Sequence, residues 1–174
     1  MTAIYFHPEA YSTDKSKVMG RNVAGESFLR GFFKYSIASS TLYIQASRRN
    51  HTEHFVGMAS DFERSENVES FNNSNLILAE RAQNVFHPGP GIGSHAKHRG
   101  LFGDHRWGLC GITHTTSSAG AMDAIADWIT SPIHPWDAVI CTSTAVKKNV
   151  EVILQAEVDF LKERLGITKI VLPQ

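Results

Sequence analysis

Two short polar segments follow apolar runs and contain side chains that suit phosphate or sugar chemistry. His114 and Thr115 open the segment HTTSS after the run 108–113, and Ser143 and Thr144 lie in the segment TST at the end of the run 137–142. An imidazole can bind a hydroxyl, act as a base or ligate a metal. Both segments precede helical patterns, whose N-termini attract anions. The pattern predicts a cleft edge for a phosphate or a polyol; helix capping beside a structural histidine is the alternative that it leaves open.

A third candidate precedes the first long helix, in the segment Met19-Gly20-Arg21-Asn22. Gly20 has no Cβ, so a phosphate could come close to its backbone amide at the helix N-terminus. Arg21 would add positive charge there, or would be a solvated surface residue. An ordinary turn glycine is the other interpretation of Gly20.

Other chemical motifs are missing from the sequence. The nine histidines include a dense stretch over 95–114, but there is no HExxH and no cysteine pair at zinc spacing. We therefore predict no metal site and read these histidines as exposed loop residues. The segment GPGIG at 89–93 is not GxGxxG, and neither a P-loop nor a GxSxG elbow occurs.

Apolar periodicity predicts alternating strands and helices. The predicted helices cover 22–35, the region of Phe55–Phe62, a segment that Ser117 or Ser118 caps, and a long helix that Ser143 or Thr144 caps and that runs to about Leu165, with Gly166 as its stop. Loops are predicted over 9–20, 65–74 and 89–107, the last with one short helical turn, and 75–79 is a weak strand or the start of a helix. The predicted strands are 3–6, 41–46, 84–88, 108–113, 137–142 and 167–172. This alternation predicts an α/β fold, a Rossmann-like three-layer αβα sandwich with a mostly parallel sheet, in which ligands bind beyond the carboxyl ends of the strands.

Composition limits the classes of function. The chain has 174 residues, with 17 basic and 17 acidic side chains, so its formal net charge is zero. Nucleic acid is therefore not an expected partner, because phosphate contacts need clustered Lys and Arg. No apolar run is long enough for a membrane span. The two cysteines lie in apolar runs, which suits reduced thiols in a cytoplasmic protein better than a disulfide framework.

Four segments together resemble a known enzyme family. They are AIYFHPEAYSTDKSKVMGRNVAGESFLRGF, HPGPGI, WGLCGITHTTSS and WDAVICTSTAVKKNV. In this order they resemble the N-terminal domain of a GT-B-fold retaining glycosyltransferase of family 4. The resemblance implies one Rossmann-like acceptor-side domain over 1–174. It also implies a C-terminal donor-binding domain whose motifs are missing from this sequence, so we expect a piece of a longer enzyme that transfers little sugar alone.

The resemblance implies roles for particular residues. Gly20 matches the family's loop glycine, which approaches the donor diphosphate, although the family often has two glycines there. His114 matches the histidine that touches the transferred sugar. The segment Thr142-Ser143-Thr144 matches the hydroxyl segment of the cleft. With Arg21 and Thr115, these residues make up our predicted site, with His114 as its catalytic residue.

The implied reaction moves a sugar from a nucleotide-sugar donor to a hydroxyl of a carbohydrate or other acceptor, with retention and without a cofactor. The implied partners are this donor, this acceptor and the C-terminal domain. Self-association through an uncovered cleft face is a further expectation. The alternative function is that of a non-enzymatic α/β domain that binds a phosphorylated small ligand.

Overall fold

The computed structural model describes residues 1–11, 20–38 and 40–172, and it leaves the side chain of Arg21 undescribed. The chain divides into two compact units, Met1–Pro88 and Gly89–Gln174. The first contains strands β1 (Ala3–Tyr5), β2 (Thr41–Gln45), β3 (Asn67–Phe71) and β4 (Asn84–Phe86), and helices α1 (Pro8–Tyr11), α2 (Gly20–Tyr35), α3 (Arg49–Ser60) and α4 (Ala79–Ala82), with a 3₁₀ turn at Leu76–Leu78. The second contains α5 (Ile92–Gly100), β5 (Gly108–Thr113), α6 (Ala119–Ala126), a 3₁₀ turn at Asp127–Ile129, β6 (Ala138–Cys141) and α7 (Thr144–Leu165).

The strands of the first unit are parallel and lie in the order β3-β2-β1-β4. Tyr5 is in register with Gln45, which in turn is in register with Phe71. The pairing continues one residue further, since the Phe6 amide donates to the Gln45 carbonyl at 2.8 Å and the Ala46 amide donates to Phe71 at 2.8 Å. The carboxyl ends of β1, β2 and β3 are therefore level.

An aromatic core supports this sheet. Phe55 on α3 meets the ring of Phe6 edge-on at 5.2 Å and contacts Phe33 on α2 at 5.2 Å. Tyr11 stacks on Phe6 at 5.3 Å, and its hydroxyl donates to the Tyr5 carbonyl at 2.8 Å. All these rings are buried. Because burial of one large apolar side chain is worth about 1.5–3 kcal/mol, this cluster fixes α2 and α3 against the strands.

Helix α2 packs closely against α1 at Gly25. A Cβ at this position would collide with the Ala10 carbonyl oxygen, so only glycine allows this approach. The Asn22 side chain donates to the Glu9 carbonyl at 2.6 Å and ties the start of α2 to the same segment.

The second unit is built around a buried ion pair. Arg99 on α5 and Asp137 before β6 have side chains that are 0% exposed, and they pair through two hydrogen bonds of 2.6 and 2.8 Å. Asp137 also accepts from the Leu109 amide of β5 at 2.8 Å, and Arg99 donates to the Trp107 and Pro132 carbonyls. Strands β5 and β6 are parallel, with Cys110 opposite Ala138.

The strands, all paired in parallel, and their flanking helices confirm the predicted fold class, α/β of the Rossmann-like three-layer type. The bounds of β5 agree with the prediction. Ser118 and Ser143 are the N-caps of α6 and α7, and Gly166 ends α7 with a φ of 67°. No helix in the described ranges is both long and apolar enough to cross a membrane.

Several sequence predictions were wrong. Residues 67–71 form β3 rather than a loop, because they pair with β2 along their whole length. The segment 89–107 holds the nine-residue helix α5 rather than one short turn, and α1 interrupts the loop predicted over 9–20, of which 12–19 lie outside the described residues. Of the two alternatives for 75–79, the start of a helix is confirmed, since residues 76–82 are helical.

The predicted strand 167–172 is not formed, and Val171 is 73% exposed there. Strand β6 is apolar, as expected for a strand covered on both faces, yet Ile140 is 45% exposed.

The buried pair gives a first prediction. Arg99→Met should lower the free energy of unfolding by about 3–5 kcal/mol, since it leaves the Asp137 carboxylate buried without its partner. Urea unfolding measures this loss. Lys97→Met is the matched control, because the Lys97–Asp127 pair is partly exposed and should be worth less than about 1 kcal/mol. Equal losses in the two variants would contradict the role of the pair.

His95 gives a second prediction. Burial, and next the charge of His98, lower the pKa of this imidazole from 6.5 to about 4. The folded protein therefore holds His95 neutral, and the stability that this contributes is present above pH 6.5 and is lost as the pH falls toward 4, up to about 3 kcal/mol. The free energy of unfolding, measured with urea, should fall between pH 7 and about pH 5. This fall should be smaller in His95→Gln than in wild type or in His105→Gln, a control at an exposed position. An unchanged loss in His95→Gln would overturn this.

Candidate functional site

The carboxyl ends of β5 and β6 form one edge of the second unit. Thr113 is in register with Cys141, and the Thr142 hydroxyl donates to the Thr113 carbonyl at 3.1 Å. A further hydrogen bond of 3.0 Å runs from the Asn149 side chain on α7 to the Thr116 hydroxyl. These contacts hold the two polar segments that the sequence singled out beside each other, as expected for neighbouring parallel strands.

His114 is half-buried at the end of β5, and this burial lowers the pKa of its imidazole below 6.5. The ring is therefore mainly neutral at pH 7, with one nitrogen that donates and one that accepts. Neither nitrogen is hydrogen-bonded to another described residue. A neutral, partly shielded ring of this kind can bind a sugar hydroxyl from either nitrogen.

The hydroxyls at this edge also have local structural roles. The Ser143 oxygen accepts from the Val146 amide at 3.2 Å and so caps α7. The Thr115 oxygen lies 2.8 Å from that of Ser117 and accepts the Ser117 amide at 3.2 Å. The same residues therefore fit both interpretations of the sequence, helix capping and ligand binding. The Ser143 proton is still available to a ligand, since its oxygen acts only as acceptor in the cap, and Thr144 is exposed in the first turn of α7.

Gly20 and Arg21 belong to the first unit, whereas His114, Thr115, Ser143 and Thr144 belong to the second. Gly20 is exposed and begins α2, and no atom of the described residues lies within 4 Å of a Cβ built on it. Packing against the described residues therefore does not require glycine there. Arg21 lies in the first turn of α2, but its predicted contact concerns a side chain outside the described residues.

A second polar edge, which the sequence analysis missed, lies in the first unit. A cavity of about 290 Å³ lies beyond β1 and β4, lined by Tyr5, His7, Glu9, Ala10 and Pro88. The buried His51 on α3 contacts His7 there. Two features of the sequence could have indicated this edge: the pair His7-Pro8 at the end of the first strand, and the histidines three residues apart at 51 and 54.

In the part of the chain that the structure describes, no three His, Cys, Asp or Glu side chains are grouped to hold a metal ion. The histidines of the stretch 95–114 differ in environment: His95 is half-buried on α5, while His98 and His105 are exposed. The prediction that His95 is an exposed loop residue was therefore wrong.

The fold and its strand-end polar residues define an α/β domain with a polar edge at the carboxyl ends of its strands. Comparisons with protein-family profiles, with curated proteins and with solved structures give no significant match to this chain. The functional argument therefore rests on the residues and their geometry.

The caps give a third prediction. Ser143→Ala should lower the free energy of unfolding by about 1 kcal/mol, because the Val146 amide loses its acceptor. Thr144→Ala, one residue further on, removes no cap and should change it by less than about 0.5 kcal/mol. Urea unfolding of both variants makes the comparison, and an equal loss in the two would contradict the capping assignment.

Proposed function

We propose that this chain is the N-terminal, acceptor-side domain of a retaining glycosyltransferase, which moves a sugar from a nucleotide-sugar donor to an acceptor hydroxyl. The observation that carries the proposal is His114, a half-buried and mainly neutral imidazole at the end of a parallel strand beside the hydroxyl segment 142–144. The four sequence segments that resemble family 4 support it. The α/β fold is the one such a domain requires.

His114 acts in this proposal by positioning the sugar. A neutral imidazole offers a donor and an acceptor to neighbouring sugar hydroxyls without bringing a charge next to the reacting carbon. The ring remains neutral through the reaction and holds the sugar in one orientation as the anomeric carbon becomes oxocarbenium-like. Correct orientation of this kind can contribute several kcal/mol to the lowering of the barrier.

The bond changes need no protein nucleophile. The anomeric C–O bond to the diphosphate breaks, and a new bond forms from the acceptor oxygen on the same face, which retains the configuration. The acceptor proton passes to the departing diphosphate oxygen. Negative charge grows on the diphosphate, and the exposed N-terminus of α7, with Ser143 and Thr144, supplies amide and hydroxyl donors that can stabilise it.

A fourth prediction tests this proposal in the full-length gene product, screened with nucleotide-sugar donors and acceptor mixtures. His114→Ala should lower kcat/KM by about 100-fold, since a positioning or electrostatic group is worth about 3 kcal/mol. His98→Ala, an exposed histidine on α5, is the control and should retain wild-type turnover. Turnover of His114→Ala within about three-fold of wild type would overturn its role. Binding of a phosphorylated ligand without transfer would favour the non-enzymatic alternative.

A further inference from the structure

Four side chains that are or can become positively charged converge beyond the carboxyl ends of β1 and β2. We call His7, Arg48, His51 and His54 the histidine cluster. His7 follows β1, Arg48 is the N-cap of α3, and His51 and His54 lie in the first two turns of that helix. The cluster is distinct from the His114 edge, because all of its members belong to the first unit.

The backbone brings these residues together. Phe6 pairs with Gln45, so His7 comes level with the segment that leads from β2 into Arg48. Helix α3 then carries His51 and His54 on neighbouring positions of one face, three residues apart. The rings of His7 and His51 meet edge-on at 4.7 Å, and His54 lies 6.0 Å from Phe6.

His51 is the buried member, with 6% of its surface exposed. Its Nδ1 atom is shielded from solvent and has no hydrogen-bond partner among the described residues. Its pKa is lowered, first by burial and then by the nearby charges of His7, Arg48 and His54. Each of these neighbours is basic, and no acidic group of the described residues is among the charges that shift the pKa of His51.

Two acidic residues of the described structure lie close to the cluster in the chain. Glu53 on α3 is paired with Arg49 at 3.0 Å. The backbone amide of Glu9 on α1 donates to His7 Nδ1 at 3.3 Å, so Nε2 is the nitrogen of His7 that can donate to a ligand. Glu9 also lines the same cavity as His7.

Space for a ligand adjoins the cluster on two sides. His7 lines the cavity of about 290 Å³ beyond β1. Arg48 lines a second cavity of about 280 Å³ beyond β2 and β3, together with Ser47, Thr52 and Asn72. Among the described residues no side chain caps the start of α3, and the His51 and Thr52 amides donate to the Arg48 carbonyl at 3.1 and 3.4 Å.

We propose that the histidine cluster binds a tetrahedral oxyanion, the phosphate group of a phosphate monoester. Arg48 supplies the fixed charge, His7 and His54 supply N–H donors, and the ligand's negative charge offsets the mutual repulsion of the four groups. The inference does not depend on sugar transfer. In a transferase the same site would select an acceptor that carries a phosphate.

The expected pH dependence follows from the same charges. A bound anion stabilises the protonated form of a neighbouring imidazole, so binding should tighten as the pH falls from about 8 to about 6. The other charged groups of the described residues that lie beside the cluster are Arg48, Arg49, Glu9 and Glu53. Inorganic sulfate is the suitable probe, since its charge is constant over this range. Its affinity should rise several-fold between about pH 8 and pH 6.

The fifth prediction is tested by titrating the chain with inorganic phosphate and with sulfate while following the histidine ring resonances by NMR. The rings of His7 and His51 should shift saturably and together, while His98, on α5, should not. Arg48→Gln should weaken binding about ten-fold, and Arg30→Gln, an exposed arginine on α2 paired with Glu26, should leave it within about two-fold of wild type.

Two results would overturn the inference: no saturable shift of either ring up to about 100 mM anion, or equal weakening by Arg48→Gln and Arg30→Gln. His54→Gln provides a second test, since this exposed position tolerates substitution, and it should weaken sulfate binding at pH 6 more than at pH 8. An effect of His54→Gln that is the same at both pH values would also count against the site. The titration requires no donor, so its failure is separate from a failure of the proposed transfer.

Discussion

The buried pair between Arg99 and Asp137 determines the geometry of the second unit. Removing two charges from water is costly, and hydrogen bonds to the pair offset this cost. Asp137 accepts from the guanidinium, the Leu109 amide of β5 and the His134 amide at the same time, whereas the buried Nε of Arg99 has no partner among the described residues. One carboxylate therefore links α5, β5 and the start of β6, and the register of the two strands follows.

That register explains why His114 and the segment 142–144 share an edge. Both strands run in the same direction from the Asp137 anchor, so their carboxyl ends meet again at Thr113 and Cys141. The half-buried ring of His114 is neutral because it lies at this edge rather than in open solvent. In the first unit, the carboxyl ends of β1, β2 and β3 are also level, and this brings His7 close to the start of α3.

Local signals in the sequence were sufficient for some of these elements. The run GLCGIT gave the bounds of β5, while a serine cap and a glycine stop gave those of α7. Elements that depend on distant partners could not be found in this way. Strand β3 has the polar sequence NVESF and is a strand because β2 pairs with it, and α5 is held through Arg99 by an aspartate 38 residues away. The segment 167–172 has the opposite problem: its residues favour a strand, but no strand pairs with it in the described structure.

The sequence could indicate only part of the candidate polar edges for the same reason. Residues that follow a strand and precede a helix can be located from the local pattern, and His114 and Ser143 are of this kind. The histidine cluster was missed because its members come from two strand ends and one helix, and only the register of the sheet brings them together. Its two signals, His7 after a strand and histidines at 51 and 54, carry no meaning separately.

The central claim is that this fold serves the transfer of a sugar with retention. The most direct measurement is an NMR determination of the anomeric configuration of the first product that the full-length gene product forms from a nucleotide-sugar donor. Our account predicts that the new glycosidic bond has the same configuration as the bond in the donor. An inverted product, or no transfer from any nucleotide sugar to any hydroxyl acceptor, would contradict it.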